Sequence, residues 1–229
     1  MTVGENAASL DWRDGVPVSR RWGDPYYSLA DGLAETRHVF LKGNRLPERF
    51  AGARGFRVAE LGFGTGLGFL AAWALWRRLA APGAVLRYTA FEIAPLPRED
   101  MARALSAWLC LAPLAAELLA ARRGAGVTEL PGARLEVIGG DARETLPRWQ
   151  GSAEAWFLDG FAPARNPEMW EPALLAAVAA RMTPGGTLAT YTAAGAVRRA
   201  LAAAGVEVTR RPGFGVKRHM SVGHLPADR

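Results

Sequence analysis

Residues 57–69 read Arg-Val-Ala-Glu-Leu-Gly-Phe-Gly-Thr-Gly-Leu-Gly-Phe. The apolar residues at the start predict a short strand, and the three glycines of 62–66 predict a tight turn. The alanine-rich run from about Leu67 to Leu79 predicts a helix behind it. Glycine allows backbone conformations that a Cβ forbids and lets a ligand approach the chain closely. The N–H groups at the helix start would be donors to that ligand.

Glu60, two residues before the first glycine, indicates the kind of ligand. Glu-x-Gly-x-Gly-Thr-Gly resembles the first motif of class I S-adenosylmethionine-dependent methyltransferases, where the acid helps to hold the cationic methionine end of the cofactor. NAD-binding enzymes carry similar glycines, but a carboxylate here would repel a pyrophosphate. The alternative is a glycine-rich turn beside an exposed strand acid. The resemblance implies S-adenosylmethionine as cofactor, with contacts from Glu60, Gly62, Phe63, Gly64, Thr65 and Gly66.

Two further acids follow predicted strands. Glu92 ends the strand Val85–Phe91, where a carboxylate can accept hydrogen bonds from both ribose hydroxyls. Asp141 follows the strand Arg134–Ile138. In methyltransferases an acid at this place meets the adenine amino group, and the next backbone N–H, here that of Ala142, faces a ring nitrogen. Asp141 also suits the N-cap of the following helix, and the two roles can coexist.

Asp159 follows the predicted fourth strand, Ala155–Leu158. In open α/β sheets the ligand lies beyond the carboxyl ends of the strands, where the strand order reverses. The first and fourth strands flank that point, so Asp159 should face the transferable methyl group. We therefore interpret Asp159 as both a cofactor-binding and a catalytic residue; a purely structural cap of the next turn is the alternative.

The alternation of strands and helices predicts an α/β fold, a Rossmann-like class I methyltransferase with a mostly parallel, doubly wound sheet. A turn at Thr183–Gly186 should precede the fifth strand. The segments Val206–Arg211 and Met220–Leu225 predict a closing pair with an antiparallel C-terminal strand. Pro113 should break the helical stretch Pro95–Leu119.

The chain is predicted to divide into an N-terminal extension, 1–50, packed on the site, and a methyltransferase domain, 51–229. Residues 1 to about 9 should form a loose end. The segment Leu10–Phe50 is rich in aromatic and turn-forming residues and has no helical period before Gly43, which predicts a β-rich extension. It should cover the open side of the site, or alternatively seal one sheet edge as a hairpin.

Composition sets limits on location and partners. No apolar run is long and charge-free enough to span a bilayer, and the N-terminus does not read as a secretory signal, so we expect a cytoplasmic protein. The net charge of +6 allows a polyanionic partner, although abundant arginine and alanine could equally reflect coding bias. The lone Cys110 should be a core residue. The three histidines lack metal-ligand spacing, which predicts no metal.

Several motifs together carry a more specific resemblance. They are Tyr26-Tyr27-Ser28, Gly32-Leu33-Ala34-Glu35-Thr36-Arg37, Phe40-Leu41-Lys42-Gly43-Asn44, residues 60–69, Asp159-Gly160-Phe161-Ala162-Pro163-Ala164-Arg165-Asn166-Pro167-Glu168-Met169-Trp170 and Phe214-Gly215-Val216-Lys217-Arg218-His219-Met220. From Leu10 to Leu225 the chain resembles the methyltransferase domain of the MnmC family of tRNA wobble-uridine enzymes, called MnmD when it stands alone. It departs from the family at Gly68, where asparagine is frequent, and at Val216 and His219, where a basic and an acidic residue are common.

The resemblance implies methylation of the primary amine of 5-aminomethyl-(2-thio)uridine at position 34 of tRNA. The chain stops before the oxidase domain that some bacteria fuse behind this one, so we expect methylation only, with a separate FAD-dependent oxidase as a partner. Asp159 would orient the amine and accept its proton. Small-molecule or protein methylation, aminopropyl transfer and a non-catalytic RNA-binding module are the alternatives.

The remaining candidate residues would contact the RNA. Aromatic and proline side chains could wall the pocket and stack on an extruded base; these are Tyr26, Tyr27, Phe161 and Pro163. Basic side chains could contact phosphates of the anticodon loop; these are Arg165, Lys217 and Arg218. For any single aromatic residue, core packing is an equally good interpretation.

Overall fold

The computed structural model describes residues 8–228, so most of the loose end predicted at 1–9 lies outside the described residues. The strands are β1 (Leu10–Arg13), β2 (Val16–Ser19), β3 (Gly55–Leu61), β4 (Val85–Glu92), β5 (Gly126–Leu130), β6 (Ala133–Gly139), β7 (Ala153–Leu158), β8 (Met182–Thr190), β9 (Glu207–Pro212) and β10 (His219–His224). The helices are α1 (Gly32–Thr36), α2 (Leu46–Phe50), α3 (Leu67–Leu79), α4 (Arg98–Leu105), α5 (Ala112–Ala121), α6 (Ala142–Arg148), α7 (Pro172–Ala180) and α8 (Gly195–Ala203).

Eight strands form one sheet in the order β5-β6-β4-β3-β7-β8-β10-β9. Strands β6, β4, β3, β7 and β8 are parallel, whereas β5, β10 and β9 pair antiparallel. The chain runs outward from β3 to β4 and β6 and then returns to β7 on the other side of β3. Strand order therefore reverses between β3 and β7, as predicted, and the α/β fold with antiparallel C-terminal strands is confirmed.

The N-terminal extension is less β-rich than predicted. Strands β1 and β2 form a separate antiparallel hairpin, but α1, a π-helix at Arg37–Lys42, and α2 follow it. Leu33, Phe40 and Phe50 are buried in the same hydrophobic core as residues of β3, β4 and α3. Helix α2 follows Gly43, after which a helical period was expected, whereas α1 and the π-helix were not predicted. They are short, and tertiary burial rather than a long helical period stabilises them.

Asn44 anchors the extension to the sheet. Its side chain is fully buried and donates to the carbonyl oxygens of Phe40 at 3.0 Å and Trp156 at 3.3 Å. The Thr187 hydroxyl donates to Asn44 Oδ1 at 2.7 Å. Because β7 and β8 both contribute to this network, the extension is held against the two strands that lead into the site.

Four details differ from the sequence-based expectations. Strand β5 was not predicted; it adds an antiparallel edge beside β6. Pro113 lies in the first turn of α5, where its missing N–H costs no helix bond, and the break precedes it. The turn predicted at Thr183–Gly186 lies within β8, where Gly185 has φ +72°. Cys110 is exposed rather than in the core.

Within residues 8–228, no single helix has the length and apolar composition to cross a membrane. One pair, Arg98–Leu105 with Leu109–Ala121, meets those criteria only when taken together, and it is bent by 119°.

Candidate active site

A cavity of about 480 Å³ opens at the carboxyl ends of the parallel strands, next to the point where strand order reverses. Its size is typical of a small-molecule site. The sequence-predicted residues that line it are Tyr26, Tyr27, Gly62, Phe63, Gly64, Thr65, Glu92, Asp141, Ala142, Asp159, Phe161 and Lys217. Glu60, Gly66, Pro163, Arg165 and Arg218 are not part of its wall.

The glycine turn forms one wall. Gly62, Gly64 and Gly66 have φ values of +86°, +51° and +82°, which favour glycine. A Cβ on Gly62 would lie 2.7 Å from the Asp159 carbonyl oxygen, so β3 and β7 approach each other here only because residue 62 has no side chain. Gly66 is the N-cap of α3 rather than a wall residue.

The Phe63 ring packs against the end of the glycine turn, where a Cβ on Gly66 would lie 3.0 Å from it. The Phe63 side chain is buried, and the Arg122 guanidinium lies 5.0 Å from the centre of its ring. A cation over an aromatic face is an attractive contact. The contact between Phe63 and Arg122 thus supports the turn before any ligand binds.

Glu92 faces the glycine turn from the end of β4. One carboxylate oxygen accepts from Gly64 N–H and the other from Ala94 N–H, both at 2.8 Å. Each oxygen can accept a further hydrogen bond. The carboxylate is therefore fixed in orientation and can still bind two vicinal hydroxyls.

Asp141 caps α6, as predicted: its Oδ1 accepts from Arg143 N–H at 2.9 Å. The Arg143 guanidinium also binds this carboxylate, with Nη2 2.6 Å from Oδ2. These hydrogen bonds, chiefly from the Arg143 side chain, lower the pKa of Asp141. Ala142 begins α6, so its N–H is among those without an intrahelical acceptor.

Glu60 lies behind the cavity rather than on its wall. Its side chain is fully buried in β3, next to the buried Tyr88 hydroxyl, which interacts with the carboxyl group. Burial, and then the charge of Asp159, raise its pKa well above the usual value. Gly68 lies between Glu60 and the cavity, and a side chain there would overlap the Glu60 carboxyl group. Contact between Glu60 and a ligand thus depends on the gap at Gly68.

Asp159 lies on the cavity floor beside a second acid that was not singled out as a site residue. Burial, and then the charge of Glu35, raise the pKa of Asp159 to about 7, while Lys217 opposes the shift. The Lys217 ammonium binds Glu35 Oε1 at 2.7 Å and lies 4.2 Å from the centre of the Tyr191 ring. All four side chains line the cavity.

Three hydrogen bonds hold the loop that follows Asp159. Asp24 accepts from Ala162 N–H at 2.8 Å. The Tyr191 hydroxyl donates to the Gly160 carbonyl at 2.7 Å, and Trp170 Nε1 donates to the Phe161 carbonyl at 2.8 Å. The segment that follows the hairpin, the residue that follows β8 and the loop itself therefore fix the cavity floor together.

Aromatic rings form a further part of the wall, and the Tyr26 ring reaches the glycine turn, where a Cβ on Gly64 would lie 3.1 Å from it. The rings of Trp22 and Tyr26 each lie 5.0 Å from that of Phe161, and the Tyr26–Phe161 contact is edge-to-face. Tyr27 packs edge-on against Trp108 at 4.8 Å, and burial raises its pKa to about 12. These rings are preorganised to contact a flat apolar ligand group.

Two sequence-based assignments need correction in position. Pro163 does not line the cavity, because Arg165 and Asn166 donate to the Ala162 carbonyl in a turn that carries residues 163–165 outward. Arg165 and Arg218 are exposed, and their phosphate contacts stay predictions. Lys217 was expected, with Arg218, on the protein surface that contacts RNA phosphates, but its side chain lines the cavity.

Glu35, Tyr191, Trp22 and Asp24 are the site residues that sequence reasoning missed. Glu35 belongs to a quoted motif, and that was the available signal; nothing in the sequence indicated that it meets Lys217, 182 residues away. Among the described residues, no three His, Cys, Asp or Glu side chains are grouped to hold a metal ion.

The raised pKa of Asp159 predicts a stability effect with a definite sign. The pKa of Asp159 is about 7 in the folded protein and 3.8 ordinarily. The protonated side chain therefore contributes its full stability below pH 3.8, and this contribution is lost as pH rises through about 7. Asp159→Asn should therefore increase the free energy of unfolding at pH 8, by up to about 4 kcal/mol, and much less at pH 5. Thermal unfolding at both pH values tests this, and an equal gain at both would contradict it.

Comparisons with known proteins identify the family. A family model described as S-adenosyl-L-methionine-dependent methyltransferase matches residues 111–226. The "tRNA 5-methylaminomethyl-2-thiouridine biosynthesis bifunctional protein MnmC" of Caulobacter vibrioides is 52% identical over 227 residues, covering 96% of this chain and 38% of that protein. The protein of the same name from Chromobacterium violaceum is 48% identical, covering 95% of this chain and 34% of its own length.

The chain thus spans little more than a third of the length of these curated relatives. The crystal structure of MNMC2 from Aquifex aeolicus superposes with a TM-score of 0.76 at 24% identity, covering 99% of this chain and 72% of that one, which supports the fold. On the family match and the near-complete coverage by relatives of about half identity, this chain belongs to the S-adenosyl-L-methionine-dependent methyltransferases.

Proposed function

We propose that this protein methylates the primary amine of 5-aminomethyl-(2-thio)uridine at wobble position 34 of tRNA, giving 5-methylaminomethyl-(2-thio)uridine. The observation that carries the proposal is the position of Asp159. Asp159 lines the cavity, its backbone lies against Gly62 of the glycine turn, and the loop that follows it carries Phe161, which contacts Tyr26. The names of the relatives support the same substrate.

The residues of the glycine turn and the strand ends suit S-adenosylmethionine. Gly62 and Gly64 leave the backbone open to close approach, and the two oxygens of Glu92 suit the ribose hydroxyls. Asp141 and the Ala142 N–H suit the adenine edge, and the carboxyl oxygens of Glu60 and Asp159 could accept hydrogen bonds from the cationic amino group of the cofactor. When bound, the cofactor supplies a methyl group on a positively charged sulfur.

Glu92→Gln should weaken cofactor binding by roughly 10- to 100-fold, because hydrogen bonds to a charged acceptor are replaced by weaker ones and an amide N–H₂ faces a backbone N–H. Isothermal titration with S-adenosylmethionine measures the effect. Glu99→Gln is the control, since Glu99 is exposed and lies outside the cavity wall. Unchanged affinity in Glu92→Gln would contradict the assignment.

The aromatic part of the wall suits the acceptor. Trp22, Tyr26 and Phe161 could stack on an unpaired base, as proteins commonly do with bases of RNA loops. Asp159 would accept a hydrogen bond from the amine and direct its lone pair toward the methyl group. Holding the two reactants in this way can supply much of the rate enhancement.

The proposed partners follow from this reaction. Arg165 and Arg218, exposed near the site, would contact phosphates of the anticodon loop. A FAD-dependent oxidase that acts on the same nucleoside would supply the amine; the relatives are named as bifunctional proteins. The reaction would occur in the cytoplasm, with tRNA.

The test is transfer of labelled methyl from S-adenosylmethionine to tRNA isolated from cells that lack this activity, with digestion to nucleosides and identification by mass. The same tRNA from cells that retain the activity is the control, because its amine is already methylated. Labelled 5-methylaminomethyl-uridine in the first sample alone is the expected result. Cofactor binding without any methylated nucleoside would reject tRNA as the substrate and favour a small-molecule or protein acceptor.

A further inference from the structure

An ion pair crosses the inside of the cavity. Lys217 reaches in from the loop between β9 and β10 and binds Glu35 of α1 at 2.7 Å. The Glu35 side chain is only 11% exposed, and that of Lys217 is 40% exposed. The ammonium also lies over the Tyr191 ring at 4.2 Å. Such a pair is partly removed from water and is screened much less than a surface pair.

The position of this pair is unusual for a structural contact. Both side chains line the same cavity as Asp159, and both act on the Asp159 charge, in opposite directions. The acidic side chains on and behind this floor come from separate elements; they are Asp24, Glu35, Glu60, Glu92 and Asp159. Among the described residues that line the cavity, three are basic: Lys217, Arg21 and Arg143. Arg21 lies over the Trp22 ring and Arg143 binds Asp141, whereas Lys217 is the one that acts on Asp159.

We propose that Lys217, held in place by Glu35, is a positioning residue that favours the uncharged acceptor amine and the ionised form of Asp159 while the methyl group is transferred. The inference rests on the proposed function and extends it to two residues. Glu35 fixes the ammonium against the Tyr191 ring, and the ammonium provides a local positive charge beside the reacting amine.

Such a charge would favour the reactive form of the acceptor. An amine attacks a methyl group only through a free lone pair, whereas a carboxylate beside it stabilises the protonated, unreactive form. A fixed ammonium acts in the opposite sense and favours the neutral amine, as neighbouring cations do for reactive lysines. As the bond between nitrogen and the methyl carbon forms, the bond between that carbon and sulfur breaks and its electron pair stays on sulfur. The nitrogen becomes a secondary ammonium, and one of its two protons passes to the Asp159 carboxylate, which must be ionised to receive it.

The two partners of the pair should shift the titration of Asp159 in opposite directions. Removal of the positive charge in Lys217→Met should raise the pKa of Asp159, and removal of the negative charge in Glu35→Gln should lower it, each by roughly one pH unit. Lys217→Arg keeps the charge and should leave it near the wild-type value. The measurement is a carbon-13 NMR titration of the protein labelled at aspartate carboxyl groups, with the Asp159 signal assigned from Asp159→Asn.

Kinetics of the complete reaction provide the second readout. The pH dependence of kcat reports groups in the bound complex. Its acidic limb should move to higher pH in Lys217→Met and to lower pH in Glu35→Gln, because the same charges act on the bound amine. Thermal unfolding checks that each variant is folded. If Lys217→Met does not fold, Lys217→Gln removes the same charge and takes its place.

The outcomes separate the two proposals. Opposite shifts in both measurements support the inference. Equal losses of activity in both variants, with no movement of either titration, would indicate a structural ion pair and overturn it while tRNA methylation stands. If the wild-type protein does not methylate tRNA at all, the proposed function fails, and the role toward the acceptor fails with it, whatever the Asp159 titration shows.

Discussion

Asp159→Ala should reduce methyl transfer to the acceptor by about 10²- to 10⁴-fold, the contribution typical of a positioned general base. Asp159 is the acid on the cavity floor, and its backbone is held against the glycine turn by the bond from its N–H to the Leu61 carbonyl. The variant should remain folded and still bind S-adenosylmethionine. Single-turnover transfer of labelled methyl measures the loss.

The control for Asp159→Ala is Glu168→Ala, since Glu168 is an exposed acid on the wall of the same cavity. It should keep most of the activity. Transfer by Asp159→Ala within tenfold of wild type would show that binding alone orients the amine and would reject Asp159 as the base.

The same carboxylate predicts a pH dependence. Because the pKa of Asp159 is about 7, the ionised fraction falls as pH decreases below that value, and kcat/KM should fall by about tenfold per pH unit there. Asp159→Asn should lose this limb. A limb that remains at the same pH in the Asn variant would belong to another group.

Gly62→Ala should be the most disruptive of the small substitutions in the site. The new Cβ would require a φ of +86°, and it would lie 2.7 Å from the Asp159 carbonyl oxygen, a backbone atom that cannot rotate away. We expect a loss of about 3–5 kcal/mol in the free energy of unfolding. We also expect loss of cofactor binding, because β3 and β7 must separate. Urea unfolding and isothermal titration measure the two effects.

Gly83→Ala is the matched control for Gly62→Ala. Gly83 has a similar φ of +76°, but a Cβ there would meet no atom within 4 Å. It should cost only the left-handed strain of about 1–2 kcal/mol and leave cofactor binding intact. Equal losses in the two variants would mean that the approach of β3 to β7 is not tight.

Much of the cofactor half of the site could be predicted because it depends on local order along the chain. A strand, a glycine turn and a helix read directly from residues 57–79, and Glu92, Asp141 and Asp159 were recognised because each follows a strand. Parallel strands bring their carboxyl ends to one edge of the sheet. The three acids therefore converge whatever the details of packing.

The acceptor half was decided by tertiary structure. Glu35 and Lys217 meet although they are 182 residues apart, and adjacent Lys217 and Arg218 face the cavity and the solvent respectively. Neither composition nor spacing distinguishes two neighbouring basic residues. Lys217 and Arg218 have different surroundings because α1 places Glu35 within reach of Lys217.

The sequence by itself determined the parallel sheet, the cofactor turn and the acids at the strand ends, since these follow from hydrophobic period, glycine and strand order. Tertiary structure alone decided the helices of 32–42, the edge strand β5, the burial of Glu60 behind Gly68 and the Glu35–Lys217 pair. Each of these depends on contacts between segments distant in the chain, where burial and charge are set by the neighbours that folding supplies.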